Sequence, residues 1–140
     1  MPARSHTAKT NPKPLDEKLT INLGYVDLGQ IDLLVADGFY ANRTDLIRTA
    51  VRNQLATHAD AVKQSMARKT LVLGIHHFSA DELRAAKKAG RKLSIRVLGL
   101  ASIAPDVSPE LALATIESLE VLGALHASPA VKAALADRNP

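Results

Sequence analysis

No cysteine occurs in the 140 residues, so neither a disulfide framework nor a thiolate metal site is available to this chain. No apolar run approaches the roughly 18 residues that a membrane-crossing helix needs. The N-terminus has no apolar stretch resembling a secretory signal. A soluble cytoplasmic protein without membrane partners is therefore expected. Catalytic signatures are missing as well. There is no G-x-S-x-G elbow, no P-loop and no HExxH helix, and Asp81-Glu82 are explained as first-turn residues that complement a helix dipole. No enzymatic activity and no cofactor is expected.

What the chain does have is an excess of positive charge. Eighteen Lys and Arg stand against fourteen Asp and Glu, a formal charge of +4, which permits a polyanion partner without requiring one. Part of that charge lies in residues 1–14, where Arg4, Lys9 and Lys13 occur with three prolines and no acid. Such a stretch is expected to be a disordered basic arm.

After the arm, Lys18-Leu-Thr-Ile-Asn-Leu23 alternates polar and apolar side chains, so Lys18, Thr20 and Asn22 share one face of a strand and Leu19, Ile21 and Leu23 the other. The following forty residues read as helical, and one strand cannot make a sheet. The expected partner is the same strand of a second copy, which makes the chain a dimer. An antiparallel pair of this kind buries the leucine and isoleucine row. It leaves a narrow ribbon of donors and acceptors, of a width that fits the DNA major groove.

Asp27 is placed to cap a helix carrying Leu28, Ile31, Leu34 and Val35 on one stripe, with Gly38 as its left-handed stop. A second helix begins at Asn42 or soon after. Leu46, Ile47, Ala50, Val51 and Leu55 repeat at helical spacing there, while Arg48 and Arg52 lie one turn apart on another face.

These residues resemble the ribbon-helix-helix DNA-binding proteins of the CopG, Arc and MetJ type. The matching pieces are Lys-Leu-Thr-Ile-Asn-Leu at 18–23, Ile-Asp-Leu-Leu-Val at 31–35 and Asn-Arg-Thr-Asp-Leu-Ile-Arg at 42–48, and the resemblance covers about residues 16–60. It implies double-stranded DNA as partner, with Lys18, Thr20 and Asn22 as base-reading residues and Asn42, Arg43 and Thr44 as the phosphate clamp. Chemistry supports each role. Lysine donates to guanine O6 or N7, an asparagine amide pairs with adenine, and threonine offers a hydroxyl and a methyl suited to thymine. The unpaired N–H groups at a helix start form an anion site. A plain solvated strand face and a plain helix cap are the competing readings of the two motifs. Gly24-Tyr25, directly after the strand, departs from the pattern and leaves its last pairing open.

A boundary is expected across residues 58–69, read as a linker helix between a DNA-binding domain at 15–57 and a second domain at 70–140. In the second domain Val-Leu-Gly recurs at 72–74, 97–99 and 121–123, each followed by a serine-led helix start: Ser79-Ala-Asp-Glu82, Ser108-Pro109-Glu110 and Ser128-Pro129. The unit reads strand, turn, short helix, three times, with a glycine closing each strand. Leu71, Val72 and Leu73 align with Arg96, Val97 and Leu98 and with Glu120, Val121 and Leu122. A small solenoid similar to a leucine-rich repeat is preferred over a compact α/β sheet. The fold class is thus α+β: an N-terminal ribbon-helix-helix, dimeric through a two-stranded antiparallel ribbon, followed by a small repeat-like α/β domain.

Exposed edges of such a sheet tend to pair with other chains, so residues 70–140 are expected to drive assembly beyond the dimer or to bind a partner. His76 and His77 suggest metal chemistry, but adjacent strand residues point to opposite faces, and no His-spacing motif occurs. No metal is expected, and the plain reading is one buried and one exposed imidazole. Lys87-Lys88, Arg91-Lys92 and Arg96 are read as a solvated face rather than a second polyanion patch. The expected function is that of a sequence-specific transcriptional regulator, a repressor or autoregulator on the nucleoid. The alternative is a structural or adaptor protein that the N-terminal head anchors to DNA. An antitoxin is disfavoured, because the second domain reads as folded rather than as a disordered tail.

Overall fold

The computed structural model describes residues 15–139. The basic arm expected at 1–14 lies outside them. The chain divides into two compact units, one reaching to Ala50 and one starting at Val51. The first holds α1 (Tyr25–Ala36) and the start of α2 (Arg43–Thr57), and the second continues through α3 (Ala59–Lys69) into three alternating strands and helices.

Helix α1 begins two residues before the expected cap. Gly24 is the N-cap, with extended backbone at φ −65° and ψ 156°, and Asp27 sits inside the first turn without making a capping hydrogen bond. A carboxylate there still complements the helix dipole. The stop follows expectation. Gly38 has φ 84°, the Gly38 N–H donates to the Val35 carbonyl at 3.1 Å and the Phe39 N–H donates to the Leu34 carbonyl at 3.0 Å. That paired closure needs a left-handed residue, which glycine adopts without a Cβ clash. Segment 18–23 belongs to no helix or strand, and all sheet pairing among the described residues is parallel. Among the described residues no antiparallel ribbon forms.

The second unit contains β1 (Val72–Phe78), α4 (Ala80–Lys88), β2 (Leu93–Ile103), α5 (Pro109–Thr115), β3 (Ile116–His126), α6 (Pro129–Ala134) and a final 3-10 turn at Ala136–Arg138. The strands form one sheet in the order β1-β2-β3, each parallel to the next in sequence. Val72, Val97 and Val121 lie side by side, as do Leu73, Leu98 and Leu122. Three serines start the three helices as their spacing requires. Ser79 and Glu82 form a reciprocal capping box, while Ser108 and Ser128 accept from the Leu111 and Val131 N–H groups at 3.1 and 3.2 Å, each followed by proline.

The glycines do not close the strands. Gly74, Gly99 and Gly123 stand abreast inside them with φ of 128°, 139° and 124°, and the strands run on to Phe78, Ile103 and His126. A side chain at Gly99 would collide with the Gly74 carbonyl, and one at Gly123 with the Gly99 carbonyl. Glycine is thus required both by backbone conformation and by the close approach of neighbouring strands.

Helices α4 to α6 cover one face of this sheet. Leu83, Leu111, Ala112, Val131 and Leu135 pack with Ile95, Val97, Ala101, Ile103, Ile116 and Leu119 in a single core. Burying each leucine, isoleucine or valine among them stabilises by about 1.5–3 kcal/mol before entropy is counted.

Candidate nucleic-acid interface

Lys18, Thr20 and Asn22 are all exposed and engage no other described residue in a hydrogen bond. The alternate row is exposed too, and Leu19 is 84% accessible. Among the described residues no strand or core accepts this apolar row. An alternating segment with both rows open to water buries nothing against the other described residues to offset its ordering.

The turn after Gly38 leads into α2 through Asn42. Its side-chain oxygen accepts from the Asp45 N–H at 2.8 Å, and the Asp45 carboxylate accepts from the Ala41 N–H at 3.0 Å. The Asn42 side chain is thereby occupied as a helix cap. This leaves the backbone N–H groups of Arg43 and Thr44 as the first-turn donors without an acceptor among the described residues. They point out of the positive end of the helix dipole, where an anion is favoured. Thr44 is exposed beside them.

Arg43 is not a free cation. Its Nε and Nη2 donate to the two carboxylate oxygens of Asp32 on α1, at 2.7 and 2.8 Å, in a two-pronged pair with both side chains about half exposed. The hydrogen bond from Arg43 outweighs desolvation and, with the guanidinium charge, holds the Asp32 carboxyl below its ordinary value of 3.8. The Asp32 hydrogen bond and charge likewise push Arg43 up. The Arg43 guanidinium is therefore held by the Asp32 carboxylate, while the Asp45 carboxylate near the start of α2 accepts from the Ala41 N–H. A phosphate there would rely on the backbone donors unless Arg43 leaves Asp32. Asp32 carried no signal in the sequence, since its partner lies eleven positions away on another helix. Arg48 and Arg52 are exposed on α2 and form no ion pair among the described residues.

In the second unit, His77 Nδ1 lies 3.3 Å from the Ser102 Oγ, while the Nε2 of His76 is buried without a partner. Among the described residues no group of three or more His, Asp or Glu side chains is placed to hold a metal ion. No described helix is long and apolar enough to cross a membrane.

The sequence model of the ribbon-helix-helix transcriptional regulator family matches residues 14–132, which takes in both units. No curated protein and no solved structure matches the chain.

Proposed function

The chain belongs to the ribbon-helix-helix transcriptional regulator family, and from that premise we propose that it is a sequence-specific DNA-binding repressor or autoregulator that acts as a dimer in the cytoplasm, on the nucleoid. The observation that carries this reading is the exposed row of Leu19, Ile21 and Leu23, which finds no partner among the described residues of its own chain. Two copies pairing antiparallel through segment 18–23 bury those rows against the helices. The opposite row, Lys18, Thr20 and Asn22 from each copy, then enters the major groove and reads bases. The start of α2 clamps a phosphate through the N–H groups of Arg43 and Thr44, with Asn42 holding the turn in shape. Arg43 exchanges Asp32 for the phosphate as DNA arrives. Phosphate contacts set the register and strand contacts the sequence. Residues 15–57 form the DNA-binding domain, 58–69 a linker helix and 70–140 a domain for assembly or partner binding.

The test is a binding titration against salt on random and selected DNA. The proposal predicts a strong preference for one site, lost in a Lys18→Ala, Thr20→Ala, Asn22→Ala triple variant, each lost contact costing about 1–3 kcal/mol of discrimination. Arg43→Ala should weaken all sequences alike. Equal affinity for every sequence in the unmodified chain would count against a regulator. It would favour the second reading, a structural or adaptor protein anchored to DNA whose second unit assembles into higher oligomers or recruits a partner. One observation speaks for that reading: Leu73 and Ile75 stand 66% and 60% exposed on the sheet.

A further inference from the structure

Helices α4, α5 and α6 all pack against one face of the sheet, and parallel sheets are ordinarily covered on both. The other face carries two apolar ranks across its three strands, Leu73, Leu98 and Leu122, then Ile75, Leu100 and Ala124; Leu73, Ile75 and Leu122 are exposed, Leu98 and Ala124 half-buried, and Leu100 is buried between its neighbours. A mixed-charge rim bounds these ranks at one end, where Glu120 lies 3.5 Å from Arg96 and 4.0 Å from Lys69. The polar His77, Ser102 and His126 row bounds them at the other. Helix α3 does not seal the face, for a groove lined by Val62, Met66, Leu98 and Leu122 stays open beside it. An apolar centre within a polar rim is the anatomy of a protein interface.

Size decides what can sit there. Six side chains on three strands about 4.8 Å apart, in two ranks about 6.6 Å apart, cover on the order of 200 Å². A free-standing protein interface buries roughly 800 Å² per partner. By itself the patch is about a quarter of what a free partner needs, so a free protein would have to add contacts beyond it, whereas one already tethered can be held by it alone, since tethering replaces affinity with a high effective concentration. The one molecule so tethered is the second copy in the dimer. We propose that the two sheets of one dimer pack face to face through these ranks in an isologous, two-fold contact. This rests on the dimeric reading of the N-terminal segment. The two-fold lays leucine against leucine, and a rim carrying both Arg96 and Glu120 presents each copy with opposite charges to pair with.

The absence of native cysteine makes the test clean. Leu73→Cys and Leu122→Cys, made singly in the full chain and treated with a short bismaleimide, should each give a covalent dimer. The yield should be about tenfold above that of Lys88→Cys on α4 and unchanged by dilution, as tethering requires. Adding Leu19→Asp and Ile21→Asp should abolish that yield in dilute protein. A yield at both positions no higher than the Lys88→Cys control, in a chain that sediments as a dimer, overturns the sheet contact and leaves the N-terminal dimer standing. A chain that sediments as a monomer overturns both. A cross-link that rises with protein concentration overturns the tethered contact, because it reports free association.

Discussion

The two units of this chain solve the problem of burial differently. From Leu71 onward a continuous core of leucine, isoleucine, valine and alanine side chains forms between the sheet and α4 to α6, with Leu83, Ile116 and Val131 sealed from solvent. From Leu15 to Ala50 no described residue is buried, although Leu28, Ile31, Val35, Leu46 and Ile47 keep the spacing of an apolar face. One unit therefore holds its fold with its own side chains, and in the proposed reading the other completes its core with a second copy. A sequence element with strong apolar patterning and no burial is better read as half of an interface than as a poorly packed domain.

The comparison can be broken most forcefully in the self-sufficient unit. Gly99→Ala places a side chain at φ 139° and against the Gly74 carbonyl, so about 2–5 kcal/mol should be lost, visible as a lowered urea midpoint for the sheet. Dilution should act on the other unit alone. Each tenfold fall in concentration should weaken a dimer-dependent core by about 1.4 kcal/mol, so hydrogen exchange should speed in α1 while β2 and β3 hold their protection. Removing a single cap is milder. Ser79→Ala should cost about 1 kcal/mol in a thermal melt, because it leaves the Glu82 N–H unpaired.

The smallest effect on stability comes from Asp32→Asn, which breaks an exposed ion pair. A carboxyl held below its ordinary value stabilises the fold at pH above that value, 3.8, and loses the contribution as pH falls through the depressed one. The variant should accordingly show a flatter acid limb below about pH 4, with little change at neutrality. Its effect on DNA should be larger, because Arg43 is freed and a carboxylate leaves the phosphate site. Affinity should rise and the salt dependence steepen by about one ion.

Local chemistry was legible in the residues and geometry between elements was not. The three serine caps, the Gly38 stop and the alignment of the Val-Leu-Gly stretches could be read because each depends on a few neighbouring positions or on a repeated one. Asp27 misled because an aspartate near a helix start serves the dipole as well inside the first turn as at the cap. The strand glycines misled because glycine ends strands more often than it lines up inside them, and only adjacent backbones reveal the close approach. The pairing of Asp32 with Arg43 depends on how two helices meet after a turn, which no spacing rule records. The base-reading residues remain assigned by resemblance and by their exposure.

Amide hydrogen exchange across residues 18–23 tests the central claim most directly. If two copies pair through this segment, its exchange is slowed at concentrations where the chain is dimeric, and the protection disappears on dilution to monomer. Exchange at the rate of a free peptide, in a chain that sediments as a dimer, would contradict the account.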